Sequence, residues 1–478
     1  MAGASSQDRS AQPAKTSLNL QRLGAPSLTN SGLKQRLLRA AGWTLAGHGL
    51  SQVIRLASNL VLTRLLAPEL YGVMAIGYVV ITGLAMFSDI GLSSGAIRSK
   101  RGDDPKFLNV GWVVQIARGA IITLGALAVA CMLHLAAGAG MFPLHSVYAD
   151  PQVPVLLAVI SVYGLFAGFE STKVWWARRH LSLGAITKIE LGSQIATTIF
   201  QLCWAAVSPS LWTLAGGWLF GATLKAALTH AALPGPANRF EWDSRIFREI
   251  FDFGKWVFLS SSFSFLLTSG DKLLLGGLLD AATMGFYSIA FLLIGALQMA
   301  VLRVVGFAVL PALSETFRER PERLRQVIYS IRRPLDAVCL ISAGATVMLG
   351  DTIVRLLYDQ RYAPAGWMLS ALAFTLVATR LDVFDQCLIA MGRVRLLSTL
   401  NGARLVTLYG MIPAGYLLFG AKGAVCAVAA SALVNSVAVL VLQARLRLLN
   451  VRHELLAVPL FLIGLMAGWA ISNLPRLF

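Results

Sequence analysis

The stretch GLSQVIRLASNLVL, Gly49 to Leu62, has the apolar content of a membrane helix and carries Arg55 at its centre. A guanidinium at bilayer depth costs from about 3 kcal/mol on insertion scales to well over 10 kcal/mol on an isolated helix. The surrounding protein must offset that cost. Around Arg55 the polar residues Thr44, His48, Ser51, Gln52, Ser58, Asn59 and Thr63 recur at steps of three and four. That spacing places them on one helical face, while Leu45, Leu50, Val53, Ile54, Leu60 and Val61 cover much of the remainder. Such a face lines either water or a polar seam between neighbouring helices.

The rest of the chain has the same solvent. Of 478 residues, 56% are hydrophobic and 13% charged, far from the balance of a soluble domain. Apolar runs lie near 43–63, 70–97, 109–135, 153–172, 183–206, 212–232, 256–275, 283–313, 334–350, 366–391, 396–419, 424–444 and 455–474. Each can cross a hydrocarbon core of about 30 Å as a helix. Closed barrels would need alternating ten-residue segments, which are absent, so an all-α membrane protein of thirteen spans is expected. The amino-terminal tail and the connections after even-numbered spans hold 28 of the 41 Lys and Arg residues, and the other connections hold six. This imbalance places the tail in the cytoplasm and the carboxyl end, after a thirteenth span, outside.

The net charge of +18 is then a cytoplasmic face suited to anionic lipid, and nucleic acid is not an expected partner. Residues 1–40 read as a disordered basic tail with an interfacial patch at LKQRLLRAAGW and no cleavable signal peptide. All five cysteines fall within spans, which gives neither a disulfide frame nor a metal site. A Walker motif, a G-x-S-x-G elbow and a metal-ligand cluster are all missing, so a transporter rather than an enzyme is expected, with no cofactor. A membrane polymerase or ligase would need a larger basic outer loop than AAGAGMFPLHSVYADPQVP or GDTIVRLLYDQRYAPAG.

Residues 43–86 align without a gap on 256–299 at an offset of 213. Trp43 meets Trp256, Ser51 meets Ser264, Leu65 and Leu66 meet Leu278 and Leu279, and Gly72 meets Gly285. Ile76, Ile81, Leu84 and Met86 also find identical partners. The duplication divides the chain into two pseudo-symmetric six-helix bundles, at 41–240 and 241–448, with an extra span in 449–478. Six spans per repeat give both halves one orientation, related by an axis along the membrane normal.

TRLLAPELYGVMAIG, FSDIGLSSGAIRSK, SGDKLLLGGLLDAATMGFYSIA and LLYDQRYAPAGWMLSALA, in this order, resemble the polysaccharide transporter family. These are the Wzx-type oligosaccharide flippases of the multidrug, oligosaccharidyl-lipid and polysaccharide exporter (MOP) superfamily, and the similarity runs from about residue 40 to 445. The resemblance implies a MATE-like pair of bundles enclosing a cavity, in a multi-pass protein of the bacterial inner membrane. It implies an undecaprenyl-pyrophosphate-linked oligosaccharide as cargo, moved outward for exopolysaccharide or O-antigen synthesis. It further implies a monomer surrounded by membrane lipids, with a polysaccharide polymerase and chain-length proteins as partners. Alternatives are a lipid-linked peptidoglycan precursor as cargo, or a multidrug antiporter, which would prefer an acidic cavity.

Guanidinium groups suit a pyrophosphate because they bind its oxygens two at a time and stay protonated. Arg55, Arg303, Arg118, Arg380 and Arg404 are the candidates, while Lys188 and Lys225 can snorkel to the interface. Polar cavity lining is expected from His48, Ser51, Gln52 and Asn59 on span one and from Ser264 and Thr268 on span seven. Span two adds Tyr78, Thr82, Asp89 and Ser93, and span ten adds Thr375, Thr379, Asp382 and Gln386. Asp89, Glu190, Asp271 with Lys272, Asp382 and Asp385 act as counter-ions, or one of them titrates and couples export to a proton or sodium gradient. Tyr358, Tyr362 and Trp367 read as an interfacial aromatic belt.

Overall fold

The computed structural model describes residues 30–305 and 309–473, apart from the side chains of 30–41, 45, 303 and 304. Among the described residues every regular element is helical, as backbone amides in hydrocarbon require. The amino-terminal half comprises α1 (Asn30–Leu65), α2 (Pro68–Phe87), α3 (Leu92–Arg98), α4 (Pro105–Gly138), α5 (Gln152–Ile160), α6 (Tyr163–Gly168), α7 (Lys173–Arg179), α8 (Leu183–Val207) and α9 (Leu211–Ala232). The second half begins with α10 (Ser244–Leu278), α11 (Ala281–Val304), α12 (Leu310–Glu319) and α13 (Leu324–Leu357). It continues through α14 (Ala365–Leu372), α15 (Thr375–Thr379), α16 (Asp382–Ala390) and α17 (Val394–Arg445), and α18 (Val451–Leu455) and α19 (Ala457–Asn473) follow.

Among the described residues eight helices are long and apolar enough to cross a membrane, or nine if 152–168 and 173–179, bent by 55° at their break, form one span. The protein is a multi-pass membrane protein. α1, α8 and α9 have the length but fall outside that set, each carrying polar or charged residues. α17 is two helices, because Gly420 (φ 62°, ψ −149°) breaks it in a conformation that a side chain would strain. Gly415 and Gly423 then let the two segments touch backbone to backbone. Among the described residues the thirteen expected runs fall on helices, but the second is interrupted between α2 and α3, the fourth between α5, α6 and α7, and the tenth between α14, α15 and α16, and the first is amphipathic. The disordered tail expected through residue 40 is corrected: α1 begins at Asn30, so LKQRLLRAAGW continues into the first span, and residues 1–29 lie outside the described residues.

The offset of 213 is met in space. A Cβ on Gly72 of α2 would lie 1.9 Å from the Ala281 carbonyl oxygen, and one on Gly285 of α11 would lie 2.0 Å from that of Pro68. Pro68 and Ala281 are themselves 213 residues apart, so each half presents the same glycine to the same carbonyl of the other. The largest apolar core forms around this crossing and draws on both halves, including Val73, Ile76, Leu156 and Leu157 with Leu275, Met284, Tyr287 and Ile289.

The crossing closes the end of the bundle at which α1 stops, the far end. At the near end, where α1 begins, the halves are joined along one flank, by α10 against α2 and α3. Gly254 abuts Ile90, the Arg98 guanidinium lies 4.3 Å from the Phe253 ring, and the Ser261 hydroxyl donates to Asp89 Oδ2 at 3.0 Å. The repeat-equivalent flank, between α1 and α11, has no comparable packing among the described residues.

Candidate functional site

The polar face of α1 divides between two surroundings. Toward the near end it meets α8: the Ser51 hydroxyl donates to Gln194 Oε1 at 2.6 Å, and Gln194 Nε2 donates back to the Ser51 carbonyl at 2.9 Å. Thr44, His48 and Ser51 line a cavity of about 360 Å³ with Thr187 and Glu190 of α8 and with Arg178. His48 and Ser51, expected to line space between the halves, thus line space inside the first one. One turn further on, Arg55 is exposed, and among the described residues no carboxylate pairs with it. The Tyr78 phenol of α2 lies within its electrostatic reach. Gln52 is half-buried.

Asn59 faces the other half. Its Oδ1 accepts from the Tyr358 phenol at 3.0 Å, the Tyr362 phenol donates to the Leu66 carbonyl at 2.9 Å, and Arg361 Nη2 donates to the Arg64 carbonyl at 2.9 Å. The aromatic belt expected from Tyr358 and Tyr362 is therefore corrected: both rings are buried and tie the far end shut. The α4–α5 connection adds to the closure. The Tyr148 phenol donates to the Leu273 carbonyl at 2.7 Å, and Val147 N–H donates to the Leu279 carbonyl at 3.0 Å.

Most of the other proposed phosphate ligands have partners of their own. Arg118 donates to the Ser88 hydroxyl and the Ala85 carbonyl, closing the end of α2, where free carbonyls attract a cation. Arg404 forks onto both oxygens of Asp385 at 2.8 and 3.3 Å, with Asp382 half-buried one turn earlier. Arg380 does not reach a cavity at all. It is 5% exposed and donates to Glu454 at 3.0 Å and Asp336 at 3.4 Å, in a cluster that includes the fully buried Arg332 and His453. This cluster, with Gly344 of α13 against the Phe461 carbonyl and Gly464 against Ile341, fastens the carboxyl-terminal span to α13. The sequence reading missed it because Arg332 fell among the loop charges and Glu454 in a connection. The available signal was Arg332 and Asp336 one helical turn apart at the start of a span.

In the second half Ser264 and Thr268 are exposed on α10. Asp271 is buried and accepts from the Tyr287 phenol, while the Lys272 ammonium lies 3.8 Å from the centre of the Phe291 ring. Asp89 is half-buried and also accepts from Gly91 N–H at 2.9 Å, so it joins α2 to α10. Arg303 lies in α11, and its side chain is outside the described residues. The arrangement brings Arg55, Ser264 and Thr268 to open positions on repeat-equivalent helices and commits Arg118, Arg380 and Arg404 elsewhere.

Residues 61–366 match a family of polysaccharide biosynthesis proteins. No curated protein matches the chain in sequence. Among solved structures, the lipid II flippase MurJ in an inward closed conformation superposes with a TM-score of 0.67 at 11% identity, over 90% of this chain and 92% of that one. An inward-facing MATE multidrug resistance transporter of the MOP superfamily gives 0.61 at 14% identity, over 89% and 96%. An outward-facing MATE transporter gives 0.51 at 15%, over 87% and 96%. The chain belongs to the polysaccharide biosynthesis protein family and has the fold shared by MurJ and the MATE transporters.

Proposed function

We propose that this protein is a flippase that moves an undecaprenyl-pyrophosphate-linked oligosaccharide from the inner to the outer leaflet of the bacterial inner membrane by alternating access, with its near end cytoplasmic. The observation that carries the reading is Arg55, an exposed guanidinium on α1, within the run read from the sequence as the first span, without a carboxylate partner among the described residues. An uncompensated base at that depth is costly unless an anion visits it, and a pyrophosphate diester offers two charges and bidentate acceptors. The membership in a polysaccharide biosynthesis family supports a saccharide cargo. The flank between α1 and α11, less packed than its repeat equivalent among the described residues, lets the polyprenyl tail remain in lipid while the headgroup enters.

Arg55→Ala is expected to leave the protein folded and inserted but to trap lipid-linked repeat units on the inner leaflet and to abolish surface polysaccharide. Full surface polysaccharide in that variant would overturn the reading. The shared fold with a lipid II flippase supports a second cargo, a lipid-linked peptidoglycan precursor. Chemical identification of the lipid accumulating in the Arg55→Ala strain separates the two.

A further inference from the structure

Beside Arg55 stands an aromatic group that the charge argument does not use. Tyr163 of α6 and Trp218 of α9 stack with centroids 4.4 Å apart and planes 27° apart, and Tyr78 of α2 leans on the same indole at 5.5 Å. Tyr78 is 52% exposed, although it lies on a helix whose other faces are packed. Two turns along α9 from Trp218, the Lys225 ammonium pairs with Glu170 at 3.1 Å, and both side chains stay partly accessible. Three rings from three helices thus form a wall bordered by a guanidinium and an accessible ion pair.

The repeat supplies a control within the molecule. Tyr78 corresponds to Phe291 at the offset of 213, and the face of Phe291 is covered by the ammonium of Lys272 at 3.8 Å. Arg55 corresponds to Thr268. One half therefore covers its ring with its own cation, and the other leaves its ring exposed beside a guanidinium that has no carboxylate partner among the described residues.

We propose that the wall of Tyr78, Tyr163 and Trp218 binds the pyranose ring attached directly to the phosphate of the carried lipid, so that the first half of the molecule selects cargo by its first sugar as well as by charge. A pyranose presents C–H bonds on a face and hydroxyls at its rim. The electron-rich face of an aromatic ring attracts the polarised C–H bonds. The Lys225–Glu170 pair supplies a charged donor and acceptor for the hydroxyls. The inference rests on the lipid-linked reading above and deepens it.

The test uses the full chain in nanodiscs and four soluble probes: citronellyl pyrophosphate and its N-acetylglucosaminyl, glucosyl and galactosyl derivatives. Wild type is expected to bind at least one glycosylated probe about tenfold more tightly than the sugarless one. Trp218→Leu should remove that preference and leave the Kd of the sugarless probe unchanged, which also shows that the variant is folded, and Tyr78→Leu should remove the preference too. Arg55→Ala should weaken all four. No preference for any glycosylated probe in wild type, or a preference retained in both leucine variants, would overturn the sugar wall alone. Unchanged binding of all four probes by Arg55→Ala would instead sink the lipid-linked reading.

Discussion

The Tyr358 phenol donates to Asn59 Oδ1 at 3.0 Å across the two halves, so a residue on the polar face of the first span is held by the end of α13. In an alternating-access cycle this bond must break whenever the far end opens. A neutral hydrogen bond contributes about 1 kcal/mol, so Tyr358→Phe should raise the population open at the far end roughly fivefold. A cysteine at Leu66, fully buried in the present state, reports that opening. With the exposed Cys131, Cys203 and Cys426 changed to serine, an impermeant maleimide should label Leu66→Cys faster in the Tyr358→Phe background. Equal labelling rates would show that the bond has no part in the closure.

The crossing of α2 and α11 makes a different prediction, because backbone rather than side chain is the obstacle. A methyl at either Gly72 or Gly285 would overlap a carbonyl oxygen of the other half, and neither carbonyl can rotate away within its helix. Overpacking of this kind costs about 1–3 kcal/mol. Because the two contacts are one crossing seen from two sides, Gly72→Ala and Gly285→Ala should each lower the thermal stability of the purified protein by a similar amount. The double variant should cost less than the sum of the two, since the first methyl already separates the helices.

Much of this arrangement was legible in the sequence, and the exceptions have physical reasons. Gly72 and Gly285 were paired by the repeat because a backbone contact admits one residue type and leaves a residue-specific trace. The helical character of the runs followed from hydropathy, since lipid leaves the backbone no alternative. Which in-span charges meet each other was not legible. Arg380 and Glu454 are 74 residues apart, and Tyr329 and Asn450 are 121 apart, joined through contacts that no local period encodes. The period of α1 showed that one face is polar but not how it divides, because Ser51 and Asn59 are eight residues apart on one stripe and meet different neighbours.

The buried cluster at the carboxyl-terminal span should dominate stability. Arg332, Arg380, Asp336 and Glu454 balance one another with little access to water, so removing one member leaves a charge unmatched where water cannot replace it. Breaking such a set costs about 3–5 kcal/mol, against at most about 1 kcal/mol for an exposed pair. Glu454→Ala is therefore expected to lower the thermal midpoint steeply, and Asp252→Ala, at the exposed pair with Lys255, to leave it nearly unchanged. Similar midpoints for the two variants would mean that water enters the cluster freely.

Outside the spans, Asp243 gives a pH dependence whose sign can be worked out. It caps α10, accepting from the N–H groups of Arg245 and Ile246, and pairs with Lys106 at 2.9 Å. The hydrogen bond from Lys106 leads, followed by the two backbone donors, and together they push the carboxyl down to about 2 in the folded protein. A carboxyl whose folded value lies below its unfolded value of about 3.9 binds its proton more readily in the unfolded chain. Its contribution is therefore complete above about pH 4 and is lost as the pH falls toward 2. Asp243→Asn keeps a capping oxygen but cannot titrate. Between about pH 5 and pH 2 the thermal midpoint of the wild type should fall more steeply than that of Asp243→Asn, and the two curves should converge at the acid end. Parallel curves over that interval would show that neither the Lys106 contact nor the helix cap holds the carboxyl in solution.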